Sequence, residues 1–260
     1  MSETIVDLHV DAGAFAFREF PVTSAAEVAA DLECLGVTRA VVGSAAAITY
    51  VSPQPANERL AQELVALGRE WLVPAAVLDP AYPGAMADLR ACRELGFGAL
   101  KLYPTYHDFD PLSYETVELM EAAASYGWPT LLCVRVEDER HHHPLMQVAP
   151  LPVTSAVALA RNVPSASLVL CGGTVAEVVS FLQGTDRDSA LAEVSWIKGP
   201  LNAIEDTVAK VGGERLVFGS HAPFSYPQTA LAKVREAFIS DDDKARILHG
   251  IASRVLPPAK

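Results

Sequence analysis

The sequence lacks a CxxC pair, a long apolar run and an excess of basic charge, and each absence excludes something. Its four cysteines, Cys34, Cys92, Cys133 and Cys171, stand far apart. That spacing offers no zinc ribbon and no disulfide framework; it fits reduced thiols in a cytoplasmic protein. No stretch reaches the about 18 apolar residues of a membrane-crossing helix, so no membrane partner is expected. Met1 to Asp11 carries neither a basic n-region nor a cleavage site, so it is not expected to be a signal peptide. Lys and Arg number 20 against 32 Asp and Glu, a net charge of −12. Nucleic acid and anionic membrane surfaces repel such a chain. Half of the residues are hydrophobic, which excludes a disordered chain.

What is present is a repeat. Short β-branched or apolar runs recur at residues 4–10, 39–43, 71–78, 98–103, 129–134, 167–171, 192–197 and 215–219, and each reads as a strand. Between them, apolar residues follow helical spacing: Val28, Leu32 and Leu35 fall at i, i+4 and i+7, as do Leu60, Leu64 and Leu67. Ser24-x-x-Glu27 and Thr174-x-x-Glu177 have capping-box form. Gly36, Gly68, Gly96 and Gly127 each follow a helical stretch and precede a strand, the place of a left-handed residue after a helix. The unit recurs at roughly 30 residues, the size of a βαβ unit. The pattern predicts an α/β protein: a (β/α)8 TIM barrel as a single domain over residues 1–260, with an extra C-terminal helix and a Pro-rich end within 241–260. A doubly wound open sheet is the alternative, but no Gly-rich phosphate fingerprint follows the first strand.

A TIM barrel holds its active site at the C-terminal ends of its strands. Strand one ends Asp7-Leu8-His9-Val10-Asp11, and period-two alternation places Asp7, His9 and Asp11 on one inward face. Strand four ends with Lys101 and Tyr103. Strand five ends with Cys133 and Arg135, followed by the charged loop that carries Glu137, Arg140 and His143. Strand six ends with Cys171, strand seven near Trp196 and Lys198, and strand eight with Gly219-Ser220-His221. The plain readings are a hydrogen-bonded plug for Asp7-x-His9-x-Asp11, a snorkelling Lys101, a solvated loop at 137–143 and small buried hydrophobes for Cys133 and Cys171. Inward ionisable groups are costly without a purpose, which favours the functional reading of the cluster.

These pieces resemble the amidohydrolase superfamily, specifically the amidohydrolase-related (amidohydrolase-2) TIM-barrel hydrolases and decarboxylases. The matching segments are Ile5-Val6-Asp7-Leu8-His9-Val10-Asp11, Asn57-Glu58-Arg59-Leu60, Leu72-Val73-Pro74-Ala75-Ala76-Val77-Leu78-Asp79-Pro80, Gly98-Ala99-Leu100-Lys101-Leu102-Tyr103-Pro104 and Glu214-Arg215-Leu216-Val217-Phe218-Gly219-Ser220. The departures bear on function. Where the family has His-x-His, this chain has His9-x-Asp11; Cys133 and Cys171 stand where it has histidines, and His221 replaces its Gly-Ser-Asp aspartate. The resemblance implies one divalent metal ion, zinc first, held by His9, Asp11 and His221; a metal-independent site is the alternative. It also implies a homodimer. Some relatives carry a carbamylated lysine at the place of Lys101, which the other changed ligands argue against here.

Three readings follow. In the first, the protein is a hydrolase of a small, carboxylated substrate, cleaving an amide or lactone, with decarboxylation as a variant. His221 acts as acid/base, oriented by Asp11 or Glu137, and Lys101, Tyr103, Arg135, Arg140 and His143 bind the anionic substrate. In the second, it is a non-catalytic barrel that lost its metal site and serves as a binding or assembly partner. In the third, Cys133 or Cys171 is a nucleophile, although neither has a histidine partner nearby in sequence.

Overall fold

The computed structural model describes residues 4–257; the first three residues, and the last three of the Pro-rich end, lie outside the described residues. Eight parallel strands form one sheet in sequential order. They are β1 (Val6–Ala12), β2 (Arg39–Ser44), β3 (Leu72–Val77), β4 (Ala99–Leu102), β5 (Thr130–Cys133), β6 (Leu168–Cys171), β7 (Ala190–Glu193) and β8 (Leu216–Val217). The sheet curls until its ends meet. Leu8 N–H donates to Phe218 O at 3.0 Å, His221 N–H to His9 O at 2.7 Å and Asp11 N–H to Ala222 O at 2.7 Å. The helices alternate with the strands as α1 (Ala25–Cys34), α2 (Gln54–Leu67), α3 (Ala85–Glu94), a short α4 (Pro104–His107), α5 (Tyr114–Ser125), α6 (Val153–Asn162), α7 (Val175–Thr185), α8 (Ala203–Val211) and α9 (Pro227–Arg235). This is the expected (β/α)8 TIM barrel. Among the described residues, no helix is long and apolar enough to cross a membrane.

Local signals act where expected. Ser24 Oγ accepts from Glu27 N–H at 3.3 Å, and Glu27 Oε2 accepts from Ser24 N–H at 3.0 Å, a complete capping box on α1. The four glycines between helices and strands all adopt positive φ. The tail is more divided than one helix: α10 (Asp241–Ala245) and α11 (Ala252–Val255) flank a π-helical turn at Arg246–Gly250.

Two apolar regions result. Leu100, Leu132, Leu168, Leu170 and Phe218 belong to the core between sheet and helices. Val41, Ala75, Ala99, Leu131, Val169, Leu191 and Val217 fill the barrel interior, where Ile251, Ala252 and Leu256 of the tail join them as a floor. Successive residues of a strand point to opposite faces, so the residues two further along point inward as well. On β4 to β7 these are Lys101, Cys133, Cys171 and Glu193. A polar layer therefore lies directly above the apolar floor, at the C-terminal ends of the strands.

Strand seven departs from expectation. It spans Ala190–Glu193 rather than 192–197, with Glu193 opposite Val217 of β8. Val194 and Ile197 are buried because the loop after β7 turns inward, not because they lie in a strand. Lys233 of α9 holds that loop, donating to Val194 O at 3.1 Å, Ser195 O at 2.9 Å and Ile197 O at 2.9 Å.

Candidate active site

Ionisable groups from six strands and their loops converge at the barrel mouth. Asp7, His9, Asp11, Lys101 and Glu193 are wholly buried, and His221 retains 1% exposure. Buried charges survive only when paired or hydrogen-bonded, and each of these groups has such a partner. Lys101 Nζ donates to Asp11 Oδ1 at 2.8 Å and to Val10 O at 3.1 Å. Tyr103 Oη donates to the same Asp11 oxygen at 3.0 Å. Burial works against the Lys101 ammonium, but the Asp11 charge and hydrogen bond together with the Cys133 and Cys171 sulfurs outweigh it and hold the lysine above its usual range. Asp7 Oδ1 accepts from the amides of His9, at 3.0 Å, and Ser220, at 2.9 Å, tying β1 to the loop after β8. Burial nevertheless pushes the Asp7 carboxyl up to about 6.

His9 lies between two partners. Its Nδ1 faces Glu193 Oε1 at 3.3 Å and its Nε2 faces Cys133 Sγ at 3.8 Å. Glu193 is itself fixed, accepting from Gly172 N–H at 2.7 Å and from Ser195 Oγ at 2.8 Å. Burial and the Lys101 charge lower the imidazole, but the Cys133 sulfur and Glu193 overcome them and raise His9 to about 9. Burial raises the Cys133 thiol, yet the donor thiol of Cys171 and the charges of His9 and Lys101 bring it well below the usual range. Cys171 moves the other way, because burial and the Cys133 charge keep it protonated. Gly219 leaves room for this arrangement: a Cβ there would stand 2.9 Å from both Glu193 Oε2 and His9 Cβ.

His221 completes the cluster in a left-handed backbone conformation, φ +58°. Such a φ is unfavourable for a non-glycine residue and persists only when its surroundings enforce it. Its amide is bound to His9 O, and its ring stacks on His9 at 4.2 Å and on Phe224 at 5.2 Å. Phe15 and Phe20, from the loop after β1, meet Phe224 edge-on and roof the site. The indole Nε1–H of Trp196 donates to His221 Nδ1 at 3.0 Å. An indole can only donate, so Nδ1 accepts and the hydrogen of the neutral ring resides on Nε2. Burial, together with the His9, Lys101 and Lys198 charges, lowers His221 well below its usual range and keeps it neutral. Its Nε2 and Asp11 Oδ2 are buried without a hydrogen-bond partner.

The remaining residues expected to bind substrate are not gathered with these. The Arg135 guanidinium is engaged by Glu177, at 2.9 and 3.0 Å, and by Gly172 O at 2.6 Å, and it lies over Trp196. Arg140 pairs with Asp138 on the exposed rim, with 84% of its side chain accessible. Glu137 is buried but accepts from Arg18 at 3.2 Å. His143 is exposed, its ring 5.9 Å from Phe17. The expected anion clamp thus reduces to Lys101, whose ammonium has one donor beyond the two used.

The fold is shared with known proteins. The amidohydrolase family model matches residues 6–257. The chain belongs to the amidohydrolase family. Solved structures with the same fold include 5-carboxyvanillate decarboxylase from Sphingomonas paucimobilis, at 15% identity and TM-score 0.72, covering 98% of this chain and 99% of that one. A dihydroxybenzoic acid decarboxylase from a Polaromonas species, with bound manganese and the inhibitor 2-nitroresorcinol, has 14% identity and TM-score 0.70 over 98% and 97% of the two chains. A probable 2-pyrone-4,6-dicarboxylic acid hydrolase from Acinetobacter baumannii, with citric acid bound, has 12% identity and TM-score 0.67 over 96% and 98%. A search of curated proteins found no match.

An amidohydrolase barrel raises the question of a metal. Two groups of donor atoms gather closely enough to surround one ion: those of His9, Asp11 and His221, and those of His9, Cys133 and Cys171, each set within 4.8 Å. Their hydrogen bonds decide the fit. The free nitrogen of His221 carries a hydrogen and offers no lone pair, since Trp196 claims the other. Asp11 is neutralised by the Lys101 ammonium, and the nitrogens of His9 face Glu193 and Cys133. A divalent ion would share this small volume with the Lys101 and His9 cations. As they are hydrogen-bonded here, the residues do not fit a resident metal.

Sequence reasoning missed Glu193. The signal was present as one acidic residue inside the apolar run Ala190-Leu191-Ala192-Glu193-Val194, but a strand read two residues late put it on the wrong level of the barrel.

Proposed function

We propose that this protein is an enzyme that hydrolyses an amide or lactone bond in a small carboxylated molecule. The observation that carries this reading is a set of three buried, unpartnered polar atoms in the converging cluster: Asp7 Oδ2 and, facing the chemistry, the Nε2–H donor of His221 and the Oδ2 acceptor of Asp11. Unpaired buried groups of this kind cost stability, and a ligand that supplied their partners would restore it. A carbonyl oxygen accepts from His221 Nε2–H, which polarises the carbonyl without needing a charge on the ring. The water consumed in hydrolysis donates to Asp11 Oδ2. The third Lys101 donor binds the substrate's carboxylate. The hydrolase and decarboxylases of similar fold act on carboxylated molecules, in keeping with this choice.

His221→Asn tests the reading. Asparagine keeps a polar group and tolerates positive φ. Turnover of a panel of carboxylated lactones, esters and amides is expected to fall by about 10²-fold or more, with the circular dichroism spectrum unchanged. Undiminished turnover in the variant removes His221 from the chemistry. A folded wild-type protein that turns over no member of the panel points instead to a non-catalytic barrel.

A further inference from the structure

We propose that Cys133 is the nucleophile of this site, that His9 is its proton partner and that Glu193 orients His9. The proposal rests on the hydrolytic reading above and deepens it. Three strands contribute one group each: β7 the carboxylate, β1 the imidazole and β5 the sulfur. The order in space is Glu193 Oε1, 3.3 Å to His9 Nδ1, then His9 Nε2, 3.8 Å to Cys133 Sγ. The two ring nitrogens face opposite partners, so the carboxylate fixes the ring and leaves Nε2 for the sulfur. Glu193 is held in place by Gly172 N–H and by Ser195. A structural thiol in an apolar core has no need of this arrangement. Cys171, opposite Cys133 in the β5–β6 register, is the contrast: its sulfur is placed by the carbonyl of Val169 at 3.7 Å and by Cys133 itself, and no histidine bonds it among the described residues.

The chemistry balances with water as the only co-reactant. The Cys133 thiolate attacks the carbonyl carbon, and an S–C bond forms while the oxygen takes up charge against His221 Nε2–H. The C–O or C–N bond to the leaving group breaks, and that group departs with the proton from His9 Nε2. The acyl group remains as a thioester on Cys133. Water then adds to the thioester carbonyl and gives a proton back to His9. The C–S bond breaks, the carboxylic acid leaves and the thiolate–imidazolium pair is restored. The substrate class is an activated or strained carboxylic acid derivative, a lactone or ester before an amide, bearing a second carboxylate that Lys101 holds.

The test uses the full chain with Cys34→Ser, which removes the exposed thiol. Mono-4-nitrophenyl succinate is the acyl probe, read by nitrophenolate release and by peptide mass spectrometry after acid quench. The expected result is a burst of nitrophenolate and a succinyl group on Cys133, both lost in Cys133→Ser. His9→Gln slows acylation by about 10²-fold or more. Iodoacetamide gives a second measurement that needs no turnover. Cys133 is expected to alkylate at about pH 6, where a thiol of ordinary pKa, about 8.5, is nearly inert, and His9→Gln moves the midpoint up toward that value. Ester hydrolysis that persists in Cys133→Ala without an adduct overturns the cysteine mechanism and leaves the hydrolytic reading standing. Cys133 that behaves as an ordinary thiol, or reacts only when unfolded, overturns it as well. Low-pH alkylation without turnover of any ester supports the activated thiol and removes the hydrolytic reading.

Discussion

Leu131, Val169 and Leu191 face one another across neighbouring strands inside the barrel, and two residues further along those strands stand Cys133, Cys171 and Glu193. Both sets are almost wholly buried, so burial does not separate them. What separates them is the neighbourhood. The lower set meets Ile251, Ala252 and Leu256 of the C-terminal tail. The upper set meets two cations, Lys101 and His9, placed among Asp11, Glu193 and the Cys133 sulfur. The same depth in the same barrel is thus apolar where nothing neutralises a charge and ionic where something does.

The comparison breaks most severely if a charge is moved down one level. Val169→Asp places a carboxylate between Leu131 and Leu191, with no cation to meet it. It is expected to remove at least about 4 kcal/mol of stability in a urea titration or to prevent folding. A loss near that of an average substitution would mean that the floor is wetter than its lining implies.

Next in size is the removal of a cation from the upper level. Lys101→Met leaves Asp11 buried with only Tyr103, and a loss of about 3–5 kcal/mol is expected. Lys101→Met combined with Asp11→Asn should recover much of that loss. If the double variant falls by the sum of the two single losses, the pair is not what stabilises the layer.

The smallest effect concerns Asp7, which has amide donors but no cation bonded to it. Burial raises it from 3.8 to about 6. A carboxyl raised on folding contributes stability that is fully present below 3.8 and is lost as pH rises through about 6. Asp7→Asn cannot ionise, so relative to wild type it should gain up to about 3 kcal/mol between about pH 4 and pH 7. An unchanged difference across that range would show that Asp7 titrates as an ordinary carboxyl.

Much of the fold was legible because its signals are local. Strand runs, the Ser24–Glu27 box and the glycines after helices each depend on a few adjacent residues, and the structure realises them. Strand seven was placed late because Val194 and Ile197 are apolar for a different reason, the inward turn of a loop held by Lys233. The site was legible only in part. The inward face of β1 and the position of His221 follow from alternation and from strand ends. Cys133 and His9 meet across 124 positions of sequence, and no local pattern announces that contact. The arginines misled for the same reason. Arg135 after a strand end looks like a substrate clamp until Glu177, on helix α7, is found to occupy its fork.

The closure between the first and last strands has a consequence for how such a barrel can change its chemistry. The main-chain bonds that join the ends run between Leu8, His9, Asp11, Phe218, His221 and Ala222, and the side chain that adds to them is that of Asp7, which accepts from Ser220 N–H. Three of those residues carry the chemistry of the site. The clasp of the hoop and the tools mounted on it are therefore separate pieces. The tools at positions 9, 11 and 221 can be exchanged, imidazole for carboxylate or carboxylate for imidazole, while the hoop stays shut.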